Sequence, residues 1–502
     1  MTESWCFQAR QIDFNQTMKA LTSRFQKKPS FDLTCRMKAL TFLTIISLLT
    51  MVNPFLTYQL EDNRMIFVQT SRKSGAKLVE RVTDGWHPNR SEKPEVSVNP
   101  EVVYQKHLGL GGAFTESAAV NYQNLDDASK KEFMTNYFDP DQGSGYNIGR
   151  IHMNSCDFSL GNWACQPTPE SEFSIEHYEA AILPMIRDAQ AMLGRKIKLV
   201  VSPWSPPSWM KTTGEMNNGG QLKPEYREQW ANYYVQFIQA LQAKGFDIWG
   251  LTTQNEPEAV QIWDSCIYSP EEERDFIRDH LGPALHKNGL QDINIVCWDH
   301  NRDNLYQRAS IILSDAEAAK YVWGSGFHWY MDNAFDNVQA VHDAFPDKGL
   351  LFTEGCQEGG PHHGEWEVAE RYGESIISDF NRWTCGWLDW NLLLDHTGGP
   401  NHVGNLCSAP ILASRTGTEI EVQPSQLYLQ HLSPRFIPEG SHRVLSASSR
   451  DNLKVVAFKR PDHKITLVVM NQSNQGYEFQ IGLSGQYLQT DIPARSMQTY
   501  VI

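Results

Sequence analysis

The sequence predicts an α/β fold: a (β/α)8 barrel carrying a β-sandwich built from both chain ends. Three observations predict it. Eight short apolar runs alternate with helical stretches through the middle of the chain. Polar and aromatic residues gather at the C-terminal ends of those runs. Both chain ends are rich in strand patterns and lack helical periodicity.

The elements follow in chain order. Met37-Lys38 precedes an apolar run, residues 39–52, broken only by Thr and Ser, which has the form of a secretory leader starting at Met37. The run is short for a membrane span. A signal anchor preceded by a basic cytoplasmic tail is the rival reading. Residues 1–62 are therefore read as an N-terminal extension and signal peptide, and the folded part as exported: secreted, periplasmic or extracellular, with no stable membrane span after leader removal. Strands are predicted at 65–70 and 77–82, and again at 453–459, 465–470 and 477–481, with turns such as Arg460-Pro461-Asp462 between them. Residues 63–104 and 435–502 are assigned to the sandwich. Residues 105–434 are assigned to the barrel, with strands at 107–114, 146–153, 197–202, 248–254, 293–299, 324–330, 350–354 and 385–391. Helices are predicted between most of them, for example over 225–243 and 270–288. A doubly wound sheet would not need eight repeats.

Composition narrows the partners. The 502 residues are 41% hydrophobic and 21% charged, ordinary for a globular core, and suffice for a barrel plus an accessory module. A net charge of −15 argues against nucleic acid or anionic lipid as the main partner. Nine Cys show no Cys-x-x-Cys and no zinc spacing. Cys156 and Cys165 could close a small disulfide loop or remain as buried thiols.

Barrel sites lie at the C-terminal face, so the strand ends carry the chemistry. They fall on or near Glu116, Asn154, Trp204, Glu256, Asp299, His328 with Tyr330, Glu354 and Trp390. In Gln254-Asn255-Glu256-Pro257 an amide precedes a carboxylate, and the proline removes an N–H and is expected to end the strand. Glu354 ends the run 349–353 ahead of Gly355. Hydrolysis of a glycosidic bond needs two carboxyl groups across it, one to protonate the leaving oxygen and one to attack or to activate water. Two strand-end glutamates on one face supply that pair, and Asn255 can hold a sugar hydroxyl beside it. Trp faces stack on pyranose rings, and the chain has fifteen Trp.

Other motifs point elsewhere and fail. Gly109-Leu110-Gly111-Gly112-Ala113-Phe114 has Phe where a dinucleotide fingerprint needs its third Gly, so its glycines are read as allowing close approach of strands or ligand. His362-His363 with Glu365 and Glu367 reads as a solvated loop rather than a metal site. There is no Gly-x-Ser-x-Gly elbow. Gly398-Gly399-Pro400-Asn401 is a turn that can carry Asn401 into the cleft. No metal and no cofactor are called for.

Taken together, Gly111-Gly112-Ala113-Phe114-Thr115-Glu116, Ser155-Cys156-Asp157-Phe158-Ser159, Ser202-Pro203-Trp204-Ser205-Pro206-Pro207-Ser208-Trp209-Met210-Lys211, Gln254-Asn255-Glu256-Pro257, His328-Trp329-Tyr330, Thr353-Glu354-Gly355-Cys356, Asp389-Trp390-Asn391 and Gly399-Pro400-Asn401 resemble glycoside hydrolase family 30, in its glucosylceramidase-type branch. The resemblance runs from about residue 65 to the end. It implies a barrel with an attached β-sandwich and hydrolysis of β-glycosides with retention, on a glycolipid or a β-glucan. It implies Glu256 as acid/base and Glu354 as nucleophile. It places Asn255, Trp204, His328, Tyr330, Trp390 and Asn401 at the sugar. Glu116 stands where the glucosylceramidase pattern has Asp, and its extra methylene is expected to push the carboxylate deeper into the cleft. His402 replaces a Trp found in some members, on the aglycone side. The branch also holds endo-β-1,6-glucanases and β-xylosidases, and a non-catalytic carbohydrate-binding protein on the same barrel is a further alternative. Retention predicts carboxyls about 5–5.5 Å apart, and the acid role predicts a higher pKa for Glu256 than for Glu354.

Overall fold

The structure, a computed structural model, describes residues 65–74, 78–88 and 95–502. The leader and extension predicted for 1–62 lie outside the described residues. Among the described residues no helix is long and apolar enough to cross a membrane.

Eight parallel strands close a barrel in sequence order: Gly109–Ala113, Ile148–Met153, Lys198–Pro203, Asp247–Thr252, Asn294–Asn301, Val322–His328, Gly349–Glu354 and Gly386–Asn391. The first pairs with both the second and the eighth, which seals the wall. Its glycines permit this: a Cβ on Gly111 would stand 1.6 Å from the Ile148 carbonyl oxygen. Helices cover the outside. Arg227–Ala243 buries Trp230, Tyr234, Phe237, Ile238 and Leu241, an i, i+4, i+7, i+8, i+11 stripe. The helical stretch beginning at Pro270 opens with a capping box between Ser269 and Glu272. It runs to Lys287 but widens to a π-helical turn over Ile277–Leu281, just ahead of Pro283, which has no N–H to continue an α-helical ladder.

Two predicted strands run too far. The fourth leaves the ladder at Thr252, five residues before Pro257, and the sixth stops at His328, two before Tyr330. Thr253, Asn255 and Glu256 instead give their N–H groups to Val296, Pro203 and Asp299 carbonyls on the neighbouring strands, at 3.1, 2.8 and 3.0 Å. The 253–256 segment is thus a loop bonded between two barrel strands.

The second unit of structure is a ten-stranded sheet drawn from both chain ends. Met65–Ser71 pairs antiparallel with Ser496–Val501, and Val96–Lys106 with His442–Ser448. Phe67, Val98, Leu467, Phe479, Leu488 and Tyr500, from strands along its length, share one apolar core. The strands at 96–106, 442–448, 486–492 and 496–501 were not individually predicted. In the first of these, Val96 and Val98 are buried and Pro100 falls where the register shifts between Asn99 and Val103, so the alternation breaks at a bulge. The strand also carries the sandwich segment past residue 104 to Lys106. His431 ties the layers together, contacting Thr499 and Thr70 hydroxyls at 2.8 and 3.0 Å.

A small sheet of Leu394–Asp395, Ile411–Ala413 and Ile420–Val422 was also unforeseen. It anchors both ends of the loop after the eighth barrel strand, which carries Asn401, Asn405 and Cys407 over the cleft.

Candidate active site

The strand ends converge on a cavity of about 400 Å3, lined among others by Asp157, Trp204, Asn255, Glu256, Tyr330, Glu354 and Trp390. Glu354 is the last residue of the seventh strand and is buried. Arg150 Nη1 donates to its Oε2, and Tyr330 Oη donates to its Oε1 at 2.9 Å. The same guanidinium, from the middle of the second strand, donates to Asp299 Oδ2 at 2.7 Å, Asn255 Oδ1 at 2.9 Å and, through Nε, Ser202 Oγ at 2.9 Å. A fully buried cation is tolerable only when its charge and donors are matched, and here two carboxylates match it. With its Oδ1 taken, Asn255 offers a ligand its Nδ2–H.

Glu256 has a positive φ of 47°, a strained region for a non-glycine residue, and the flanking Asp299 has 55°. The bonds to neighbouring strands hold this bend, which turns the side chain to the cleft. His328 Nδ1 contacts Glu256 Oε1 at 3.2 Å, and Nε2 contacts Asp299 Oδ1 at 2.9 Å. One oxygen of Glu256, one of Glu354 and a nitrogen of His328 all lie within 4.8 Å of one another. Two carboxyls this close can flank a single scissile bond.

The charge distribution differs from the predicted one. Burial raises the Glu256 carboxyl, but His300 and His328 overcome it and hold the group below its ordinary value. His300 is itself pushed down by burial. For Glu354, burial and the charges of Glu256 and Asp299 outweigh the opposing pull of His328 and Arg150, and the carboxyl lies above its ordinary value. The free site therefore reverses the expected order, because the histidines outweigh burial at Glu256, whereas burial and neighbouring carboxylates outweigh His328 and Arg150 at Glu354. Burial opposes charge on His328, yet the Glu354 charge and the bonds to Asp299 and Glu256 carry it to about 9.

That shift has a consequence for stability. A histidine raised from 6.5 to about 9 on folding contributes stability that is present in full below pH 6.5 and is lost as pH rises through about 9. Melting temperature is expected to fall across that window, and His328→Gln to flatten the fall. An equal slope in the variant would assign the dependence to other groups.

Comparison with known proteins gives the family. Residues 107–437 match the Glycosyl hydrolase family 30 TIM-barrel domain, and residues 440–500 match the Glycosyl hydrolase family 30 beta sandwich domain. The chain belongs to glycosyl hydrolase family 30. It is 37% identical to the lysosomal acid glucosylceramidase of Mus musculus over 81% of this chain and 83% of that protein. Among solved structures, SrfJ from Salmonella typhimurium superposes with a TM-score of 0.83 at 33% identity, covering 88% of this chain and 99% of that one. The endo-beta1,6-glucanase BT3312 gives 0.78 at 28% identity, with coverage of 88% and 99%. The chain is a glycoside hydrolase, and the two-part architecture predicted from its sequence is that of its family.

The family 30 cleft brings together Glu256, Glu354, Asn255, Trp204, Tyr330 and Trp390 in its lining. Trp204 and Trp390 stack on each other at 5.1 Å, with the Arg150 guanidinium 4.7 Å from the Trp204 ring. They line the wall as a packed pair. His328 does not line the cleft; it is fully buried behind Glu256. Asn401 does not line it either. Its Oδ1 accepts from Val403 and Asn405 N–H groups at 3.1 and 2.9 Å, so it shapes the loop. His402 turns away, contacting the Asp157 carbonyl at 3.0 Å.

Glu116 corrects the expectation of a deeper carboxylate. It lies in the first turn of the helix Glu116–Asn124, capped by Thr115, and its oxygens accept from Trp163 Nε1 at 2.9 Å, the Leu160 N–H at 3.2 Å and His177 Nε2 at 2.8 Å. Burial raises the carboxyl, but those two side chains win and bring it to about 2. Glu116 is not among the residues that line the cavity.

Asp157 and Arg150 were missed as site residues, and Asp299, named among the strand ends, was given no role. Asp157 lines the cavity, accepts from Asn405 Nδ2 at 3.0 Å and is raised to about 8 by burial and the Glu354 charge, so near neutral pH it holds a proton it can donate. Its signal lay in the Ser155–Ser159 stretch, which was noticed without a role. Arg150 and His152 interrupt an otherwise apolar buried strand, a mark of buried polar function available in the sequence. Cys156 and Cys165 are both free and buried, so no loop disulfide joins them. His362 and His363 pair instead with Glu365 and Glu421, at 2.9 and 2.6 Å, on the exposed surface.

Proposed function

We propose that this chain is an exported retaining β-glucosidase whose preferred substrate is a glucosylceramide-like glycolipid. The observation that carries the mechanism is the close carboxyl pair with unequal partners. Glu354, oriented by Arg150 and Tyr330, attacks the anomeric carbon as the glycosidic C–O bond breaks. Glu256 gives its proton to the leaving oxygen. Glu256 then takes a proton from water, which attacks the same carbon from the opposite face and releases Glu354.

The free site needs one adjustment to do this. Its proton favours Glu354 and the reaction needs it on Glu256. The two states contain the same number of protons, and their oxygens lie within 4.8 Å, so a leaving-group oxygen or one water between them can carry the transfer. Arg150 and Tyr330 then hold Glu354 as the anion.

A glycolipid is favoured by the rim. Val260, Ile262 and Met331 are each more than 60% exposed, and Val260 and Ile262 alternate with Ala259, Gln261 and Trp263 of the cavity wall. An apolar margin around a polar, sugar-sized cavity suits an aglycone with a hydrophobic tail. The mouse relative is by name a glucosylceramidase. The second reading, an endo-β-1,6-glucanase, draws on BT3312; a β-xylosidase has no specific observation in its favour. Export rests on the apolar run at 39–52 behind Met37-Lys38.

Hydrolysis of glucosylceramide in mixed micelles, β-1,6-glucan and an aryl β-xyloside at equal sugar concentration tests the reading. The glycolipid is expected to have the highest kcat/KM, and a higher value for the glucan would sink this assignment. On any β-substrate, proton NMR is expected to show the β-anomer as the first-formed sugar. An initial α-product would refute retention.

A further inference from the structure

One pair of thiols stands in the cleft that the hydrolytic mechanism does not use. Cys356 follows Glu354 by two residues, and Cys407 lies on the loop after the eighth strand. Both line the cavity and both belong to the same cluster of buried side chains as Trp204 and Trp390. Glu358 and Cys407 form an antiparallel β-bridge, and the Ser408 N–H donates to the Gln357 carbonyl at 2.8 Å, so the two segments run side by side. Both thiols are free, and neither is bonded as a disulfide.

We propose that Cys356 and Cys407 are a redox modification site, which a peroxide or a low-molecular-weight disulfide closes into an intramolecular disulfide that switches hydrolysis off. With hydrogen peroxide the balance is simple. One sulfur, as thiolate, attacks a peroxide oxygen and breaks the O–O bond, giving a sulfenic acid and, with its proton, one water. The second thiol attacks that sulfur, forming S–S and expelling the second water. Two thiols lose two hydrogens, and the peroxide is reduced to two waters. The neighbouring Cys407 thiol and burial push the Cys356 thiol above its ordinary value, so closure through the Cys356 thiolate is expected to quicken as pH rises.

The consequence for catalysis follows from what each cysteine touches. Cys356 Sγ lies 3.6 Å from Tyr330 Oη, the hydroxyl that donates to Glu354 at 2.9 Å. The Cys356 carbonyl accepts from Trp329 Nε1 at 3.0 Å, which pins its backbone. Drawing the sulfurs to bonding distance therefore moves the Cys407 loop inward. That loop holds Asn405, whose Nδ2 donates to Asp157 at 3.0 Å. Closure thus disturbs the Tyr330 contact on one side of the sugar site and Asp157 on the other.

The activity readout rests on the glycosidase reading; the covalent readout does not. Reduced, desalted full-length protein is treated with hydrogen peroxide, free thiols are alkylated, and non-reduced peptides are weighed. A Cys356–Cys407 cross-linked peptide lighter by two hydrogens is expected, together with a loss of activity of at least about tenfold that dithiothreitol reverses. Cys407→Ser and, separately, Cys356→Ser are expected to keep their own reduced-state activity under the same treatment, while Cys297→Ser remains as sensitive as wild type. No such cross-link overturns the proposal, whether or not glucosides are hydrolysed. So does an equal, dithiothreitol-reversible loss in both cleft variants. Should one variant not fold, the other and the wild-type cross-link decide.

Discussion

Replacing Glu354 with Gln is expected to lower kcat/KM on any β-glucoside by on the order of 10⁴-fold or more, the scale seen when a nucleophile is removed from a concerted site. The amide is nearly isosteric and Arg150 keeps Asp299 as its partner, so the fold is expected to survive. Circular dichroism and melting temperature check that. With azide, a Glu354→Gly variant is expected to yield the α-glycosyl azide, because the anion attacks from the face the carboxylate has vacated and inverts once. Retention of more than a percent or so of wild-type activity in the Gln variant would mean that another group attacks the anomeric carbon.

Glu256→Ala is expected to behave differently, and the contrast between the two variants separates their roles. Loss of the acid removes about 10²–10⁴-fold from substrates whose leaving group needs a proton, such as alkyl glucosides and glycolipids. Aryl glucosides with acidic phenols need little donation, so formation of their glycosyl-enzyme should persist and show as a burst. The second step then stalls for want of a base. Azide needs no base, and it is expected to restore turnover and give the β-glycosyl azide by double inversion. The test matters here because the free site holds Glu256 below and Glu354 above their ordinary values, the opposite of what an isolated acid and nucleophile require. β-Azide from the Glu354 variant, or from neither, would require the roles to be reassigned.

Much of the frame was legible because it depends on short-range pattern. Alternating apolar runs and a helical stripe such as Trp230–Leu241 report burial over a few residues, and eight repeats of that alternation leave few folds besides a barrel. The strands that escaped notice are those where the pattern is interrupted, as at Pro100. The boundaries that slipped, after Thr252 and His328, are where backbone groups find partners outside the ladder.

By itself, then, the sequence determined the barrel, the sandwich shared by both ends, and the placing of Glu354 and the Glu256 loop at the C-terminal face, since a parallel barrel gathers all its strand C-termini on one face. Tertiary structure alone decided how those glutamates are tuned. Arg150 reaches Glu354 across 204 positions of sequence and Asp299 across 149, and a charge inside the barrel can be placed only when its partners are known. The same holds for Glu116, taken out of the cleft by Trp163 and His177, for Asn401, folded back into its own loop, and for Cys356 and Cys407, brought together by a β-bridge between distant segments. Local sequence reports which side chains are buried and on which element. Which buried groups meet, and so which of them carry charge or a proton, is set by long-range packing in a low-dielectric interior.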